Sequence, residues 1–528
     1  MKNRMYGGWL FAALLFASVT AQAQPVYDLL IRNGRVYDGT GNSWFNADIG
    51  INGGRIVFIG RAAATAVRVI DARGLVVSPG FVDVHTHIEG DEKHVPTADN
   101  FIHDGVTSVV TGNCGMSEVD LARWFYTLDS IGMSVNVASL VGHNDVRRAV
   151  MGDANREPSA SEMQRMEDLV EQAMKDGAVG ISTGLIYVPG TYSKPGEVIA
   201  LAKAAAKHGG VYASHIRNEG DQVTEAIEEA VNIGREAKIP VEISHFKVTY
   251  KPNWGRSVKT LEQIVKAREE GIDVTIDQYP YVASSTTLNT TLPTWVFGGG
   301  PDSVRYRLKK KKIRAKIVNE MVELLRHKQL EDYSYALIAM YGKDTTLNGK
   351  TITEANIIRG KKHTAEDEAE TILEMVGEGS AQMVYFSMNE DDLAHFMKYP
   401  FNMPASDAGI AQFGSGMPHP RTYGTNARVL GRYVREKGLI TLGEAIRRMT
   451  SLPAGKFQLQ DRGLLRVGMA ADILVFDDRT VSDPSTFQKP HAYSTGFHYV
   501  IVNGQVTVDQ GRHTGVRSGR VLKGPGAR

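Results

Sequence analysis

The chain has 528 residues, a formal net charge of +1 and 42% hydrophobic residues. That length allows two or three domains, and the near-neutral balance excludes the strong basic excess expected of a nucleic-acid binder. A single cysteine, Cys114, excludes any internal disulfide.

The chain opens MKNRMYGGWLFAALLFASVTAQAQP. Two cations, an apolar run too short to span a bilayer comfortably and a small-residue Ala-Gln-Ala site read as a secretory leader over residues 1–23. The mature protein is then expected to be periplasmic or secreted, with no stable membrane span. An uncleaved anchor is the alternative. Residues 24–78 follow as the first part of a β-rich domain. They contain DLLIRNGRVYDGTG (28–41), whose Asn33-Gly34 reads as a hairpin turn between strands. A similar segment, YVIVNGQVTVDQG (499–511), places Asn503-Gly504 likewise, within a second β-rich part at 451–528. The two predict one small β-sandwich domain built from both ends of the chain.

Between them, over 79–450, short apolar runs alternate with amphipathic helical patterns. The runs are 80–87, 108–115, 134–143, 179–185, 210–217, 240–247, 273–281 and 401–407. Helices are expected over 160–175, 195–208, 222–238 and 257–270. Repeated β-then-α units mean a parallel sheet, and eight of them predict an α/β protein with a closed (β/α)8 TIM-like barrel. One unit is oversized: a large insertion, about 296–385, follows strand seven. It holds the run Lys309-Lys310-Lys311-Lys312, which a solvated helix face explains.

The strand ends carry the chemistry. His85 and His87 end strand one, Cys114 strand two, His143 strand three, His215 strand five, His245 strand six and Asp407 strand eight. The C-terminal ends of barrel strands converge on one face. Residues i and i+2 of a strand share a face, so His85 and His87 are able to meet one ion. Alone, such histidines are ordinary buried residues, and Cys114 in TGNCGMS is a small hydrophobe, a metal ligand or a nucleophile. Together they point to a metal, and imidazole with thiolate suits zinc. In an oxidising compartment a persisting thiol must be buried or occupied, and zinc would occupy it. Asp407 is then placed to handle protons at a metal-bound water.

SPGFVDVHTH, TGNCG, GLIYVPG, ASHIRNEGD, ISHFK, YPYVASST, SDAG, HPRTYG and GLLRVGMAADILVFD occur in that order over about residues 27–510. They resemble the amidohydrolase superfamily, in its D-aminoacylase (N-acyl-D-amino-acid deacylase) branch. Relatives that bridge two metals use a carboxylated lysine on strand four, and residues 176–193 contain none. The resemblance implies a tight zinc on Cys114, His215 and His245, and a weaker second site on His85, His87 and Cys114. It implies Asp407 as base and then acid, and Lys247, Tyr279, Ser285 and Arg421 as the grip on the substrate's α-carboxylate. Tyr187 is a further pocket residue. His143 matches a family Gly-His, with a structural hydrogen bond and carbonyl polarisation both open. Ile88-Glu89-Gly90 and the loop AGIAQFGSGMP (408–418) depart from the family pattern at the pocket rim. Residues 282–304 lack Lys and Arg, where members selective for acidic side chains tend to carry an Arg. The expectation is hydrolysis of N-acyl-D-amino acids with neutral or hydrophobic side chains. Hydrolysis of a dipeptide with a D-residue or of a cyclic amide is the alternative within enzymes. A non-catalytic zinc-binding periplasmic protein is the alternative outside them.

Overall fold

Every residue of the central strands is buried: Phe81–Asp83, Val106–Thr111, Asn136–Ser139 with Val141–Gly142, Gly180–Gly184, Val211–His215, Val241–Ile243, Val274–Gln278 and Asn402–Pro404. Burial on both faces is what parallel strands under flanking helices require. The computed structural model describes residues 26–527, so the expected leader at 1–23 lies outside the described residues. All pairings among these strands are parallel, in one arc of three and one of six. Backbone bonds join the arcs at both ends. Leu140 N–H donates to Thr111 O and Val179 N–H to Ser139 O, both at 2.9 Å. Asp407 N–H donates to His85 O at 2.8 Å and His87 N–H to Ala408 O at 2.9 Å. The eight strands thus run in a ring in chain order. Helices Ala160–Asp176, Pro195–Ala206, Val223–Ala237 and Ser257–Glu269 fall where the periodicity put them. The first is fixed by a reciprocal cap between Ser159 and Glu162.

The ladders stop earlier than the apolar runs suggest. Strand one ends at Asp83, not at 87, because the Asp83 carboxylate accepts the His85 and Ser406 N–H groups at 3.2 and 3.1 Å. Strand three ends at Gly142, and His143 opens a helix, His143–Met151. His85, His87, Cys114, His245 and Asp407 all lie just past the last ladder pair. No helix among the described residues is long and apolar enough to cross a membrane.

After strand seven the chain builds a separate layer. Ser284–Thr287, Ala336–Met340 and Gln382–Tyr385 form an antiparallel sheet, starting before the expected 296. Helices Gly300–Lys309, Lys311–His327 and Ala365–Gly377 pack on their own core, including Leu288, Ile317, Met321, Ile372 and Met383. The lysine run is exposed and bends at Lys310 between two helices, so it is not one helix face.

Both ends of the chain share one nine-stranded sheet, in which Val76–Pro79 pairs with Ile473–Phe476. Asn503-Gly504 is the expected tight turn, with φ of 49° and 78°, between Phe497–Val502 and Gln505–Asp509. Asn33-Gly34 is not a turn. The strand Tyr27–Val36 runs through it with a bulge. The extra residue is held because Asn33 N–H and Nδ2 are taken by Asp48 and Asp71, each at 2.9 Å. The sheet meets the ring through Phe81, whose ring lies edge-on to Phe476 at 6.5 Å and Phe497 at 6.0 Å. Phe81→Ala should therefore cost about 3–5 kcal/mol, as buried aromatic deletions do. Its denaturant midpoint measures this, and a loss under about 0.5 kcal/mol, typical of surface changes, would place the docking energy elsewhere.

Candidate metal and substrate site

Three non-glycine residues at the strand ends sit in the left-handed region: Cys114 (φ 54°), His245 (φ 37°) and Asp407 (φ 51°). Such backbone costs about 1–3 kcal/mol per residue and persists only where surroundings impose it. At Cys114 they do. Gly112 and Gly115, with φ of 76° and 77°, flank it, and a Cβ on either would lie 2.2 Å from a polar oxygen, Leu140 O or Asn144 Oδ1. Ser182 Oγ donates to Gly112 O and accepts from Gly115 N–H at 3.0 Å, closing the turn. The turn aims Sγ inward, and the residue is 3% exposed.

Three imidazoles surround that sulfur. Its distances are 3.4 Å to His85 Nε2, 3.5 Å to His215 Nδ1 and 3.6 Å to His245 Nε2. The two nitrogens of His215 and His245 are 2.7 Å apart. Cys114, His215 and His245 form one possible ligand set, His85, His87 and Cys114 a second, and His85, His245 and Asp407 a third. Burial alone would push the Cys114 thiol up, but His85, His215 and His245 reverse that and hold it well below the usual thiol range. Burial and the nearby His245 lower His215, which favours its neutral, ligating form. A buried cysteine whose thiol is pushed down, with two converging imidazoles, is a donor set that suits zinc. Ligands at about 2.3 Å (S) and 2.0–2.1 Å (N) in a tetrahedron place sulfur and nitrogen roughly 3.5 Å apart, as these pairs already are, and two nitrogens about 3.3 Å apart, so the His215 and His245 rings, now 2.7 Å apart, would part slightly around the ion.

The rings are oriented from behind. Asp277 Oδ2 lies 3.0 Å from His85 Nδ1, and Asp277 Oδ1 accepts the His245 N–H at 2.9 Å. Glu219 Oε1 lies 3.1 Å from His245 Nδ1 and 2.5 Å from Lys247 Nζ. Carboxylates placed this way fix tautomer and ring angle. Sequence reasoning missed both acids. The available signals were a charged residue inside the buried strand VTIDQ and a glutamate four residues past His215.

Asp407 faces the cluster from strand eight. Its Oδ1 is 3.3 Å from His87 Nε2 and 3.7 Å from His85 Nε2, and its Oδ2 is 2.9 Å from Arg421 Nη1. Burial would raise this carboxyl, but the Arg421 guanidinium first, then His85 and His87, hold it well below the usual range. Arg421 opens the helix Arg421–Arg428 and stacks 4.4 Å from the Tyr279 ring centroid, with Lys247 Nζ at 5.6 Å. Tyr187 packs edge-on to His215 and bonds Thr286 Oγ1 at 3.0 Å. Ser285 Oγ donates to Met383 O at 2.8 Å.

A cavity of about 1180 Å³ opens above these groups. It is lined by His87, Cys114, Tyr187, His215, His245, Lys247, Tyr279, Ser285, Asp407 and Arg421, with an outer wall from the insertion. His85 lies beneath, fully buried. His143 does not line it. Its Nε2 pairs with Glu197 at 2.8 Å beside the buried Arg147, a purely internal bond.

Comparison with known proteins places the chain in a family. The profile of the amidohydrolase family matches residues 68–508. A D-aminoacylase of Alcaligenes xylosoxydans xylosoxydans is 36% identical over 526 residues, covering 95% of this chain and 98% of that one. An N-acyl-D-glutamate deacylase of the same organism is also 36% identical, covering 95% and 97%. The crystal structure of the N-acyl-D-glutamate deacylase of Bordetella bronchiseptica, with zinc and a phosphonate mimic of the tetrahedral intermediate, superposes with a TM-score of 0.81 at 35% identity, over 94% of this chain and 100% of that one. Matched over nearly their whole length by relatives at 35–36% identity, these 528 residues belong to the amidohydrolase family, in its D-aminoacylase branch.

Proposed function

We propose that the protein is an exported, zinc-dependent deacylase that hydrolyses N-acyl-D-amino acids to a carboxylate and a free D-amino acid. The observation that carries this reading is the place of Asp407: one carboxylate faces the cysteine–histidine cluster across the cavity floor, with Arg421 and Lys247 on the same wall. The relatives' substrates support it. Cys114, His215 and His245 would hold the tight zinc, with His85 and His87 completing a weaker second site around the same sulfur. Zinc there would polarise the acyl carbonyl and bring the pKa of a water towards neutrality.

The chain's own groups do the rest. Asp407 takes the proton of the attacking water and delivers it to the amine nitrogen as the C–N bond breaks. It must start ionised, and Arg421 keeps it so. Arg421 and Lys247 are the cations for the α-carboxylate, aided by Tyr279 and Ser285. In the free protein each cation already has an acid, Asp407 for Arg421 and Glu219 for Lys247. A substrate carboxylate that draws Arg421 to itself loosens that hold. Asp407 then gains proton affinity at the moment a base is needed. With the α-carboxylate and the scissile amide both fixed, one enantiomer alone directs its side chain to the outer wall. That wall, near Tyr187, offers Thr286, Thr287, Thr290, Leu292 and Phe297, with no cation between 282 and 304. This stretch suits a neutral or hydrophobic side chain, and further basic residues of the cavity, Arg217, His327 and Lys328, lie outside it.

Asp407→Asn should keep its zinc and lose about 10²–10⁴-fold in turnover of N-acetyl-D-methionine, the usual worth of a positioned acid–base group. Retained turnover would sink the assignment. Cys114→Ala should lose both metal and activity, read by elemental analysis beside the same assay. If its metal stays, the sulfur is packing and not a ligand. Across a substrate panel, kcat/KM should rank N-acetyl-D-methionine above N-acetyl-D-glutamate, with the L-forms uncleaved, and a reversed D-ranking would assign an acidic side chain.

A further inference from the structure

Away from the cavity floor, the insertion brings together Asp332, His363 and Glu368, none of which the proposed reaction uses. We infer that these three form a second, independent cation site, for a divalent ion such as zinc or manganese. Asp332 lies in the turn after helix Lys311–His327, His363 just before helix Ala365–Gly377, and Glu368 in that helix's first turn. Asp332 Oδ2 and Glu368 Oε1 lie 3.1 and 3.5 Å from the same nitrogen, His363 Nε2. Ligands about 2.1 Å from a tetrahedral ion sit roughly 3.4 Å apart, so both carboxylate–imidazole pairs already hold coordination spacing, and all three donors lie within 4.8 Å of one another.

Glu368 is what a simple ion pair leaves unexplained. Its side chain has no exposed surface. Oε2 accepts from Tyr333 N–H at 2.7 Å and Thr353 Oγ1 at 3.0 Å, whereas Oε1, the oxygen facing His363, accepts no hydrogen bond. A buried carboxylate oxygen without a donor is costly. A protonated His363 has a single Nε2–H, and the nearer Asp332 takes it. A divalent cation would serve all three donors at once. Asp332 Oδ1 is already engaged by Ser334 N–H at 3.0 Å, which turns Oδ2 towards the cluster. The His363 side chain is 57% exposed, leaving an approach for the ion and for waters that complete its shell. One imidazole with two carboxylates suits zinc or manganese, and supplies too few oxygens for calcium.

The site would tie the turn at 332 to helix Ala365–Gly377. Tyr335, three residues on, lines the substrate cavity, so the ion would brace part of the outer wall. The test uses the full-length protein with its cavity zinc in place. Wild type, His363→Ala and Asp332→Asn are dialysed against buffered free zinc, and in parallel manganese, and metal per chain is measured. Wild type should hold one equivalent more than either variant, and free zinc should raise its thermal midpoint by several degrees more than theirs. The difference between chains does not depend on how many ions the cavity holds. Deacylase activity of the variants at saturating zinc verifies that they fold. Equal metal contents and equal thermal shifts in all three would overturn the site and leave an imidazolium ion pair.

Discussion

One buried carboxylate, Asp277, sets the floor of the site. Wholly inaccessible in strand seven, it receives the His85 ring from strand one and the His245 backbone N–H from strand six, while its carbonyl accepts from Phe246 N–H at 2.7 Å. Three strands are thereby held at one depth. Burial pushes its carboxyl up, but His85 outweighs this and holds Asp277 below the usual carboxylate range, while burial and then the Asp277 charge push Glu242 well above it. The left-handed backbone of His245 costs about 1–3 kcal/mol. A hydrogen bond to a charged group returns about 1.5–3 kcal/mol, so the bond from its own N–H to the Asp277 carboxyl is of the size needed to offset the strained turn. Asp407, also left-handed, gives its N–H to a neutral acceptor instead, the backbone carbonyl of His85, at 2.8 Å.

Above the floor the charges alternate. Glu219 stands between His245 and Lys247, and Asp407 between His87 and Arg421. Each acid has a histidine of the cluster on one side and a cation on the other. This pattern keeps every ionised group compensated in a buried place, where a lone charge would be expelled or neutralised. It also means that neither cation is free until a ligand anion competes for it.

The convergence of Cys114, His215, His245 and Asp407 was legible because parallel strands alternate with helices and deliver their C-terminal ends to one face. Where each ladder stops was not. Asp83 ends strand one by intercepting Ser406, 323 residues away, and no local pattern encodes that partner. The same reason hides Asp277, whose histidine partner lies 192 residues off. Asn33-Gly34 and Asn503-Gly504 are identical dipeptides with opposite outcomes: Asp48 and Asp71 hold Asn33 in a bulged strand, whereas Asp472 accepts the Asn503 N–H in a tight turn, and all three acids are remote in sequence. His143 shares the strand-end position of the others, yet Glu197 draws its ring out of the site. The threonine-rich start of the insertion, SSTTLNTT, carries no apolar period, and only its pairing with Gln382–Tyr385 reveals a strand.

Cys114 is the chain's one sulfhydryl, and it lies at the centre of the histidine cluster rather than in the packing of a remote core. That coincidence gives the molecule a built-in reporter. A reagent that labels thiols stoichiometrically has a single place to react, so the rate at which one equivalent of dye is consumed follows how often that sulfur is released from its surroundings. Occupancy, exchange and opening of the mouth can then be followed on the unaltered protein, without an engineered probe.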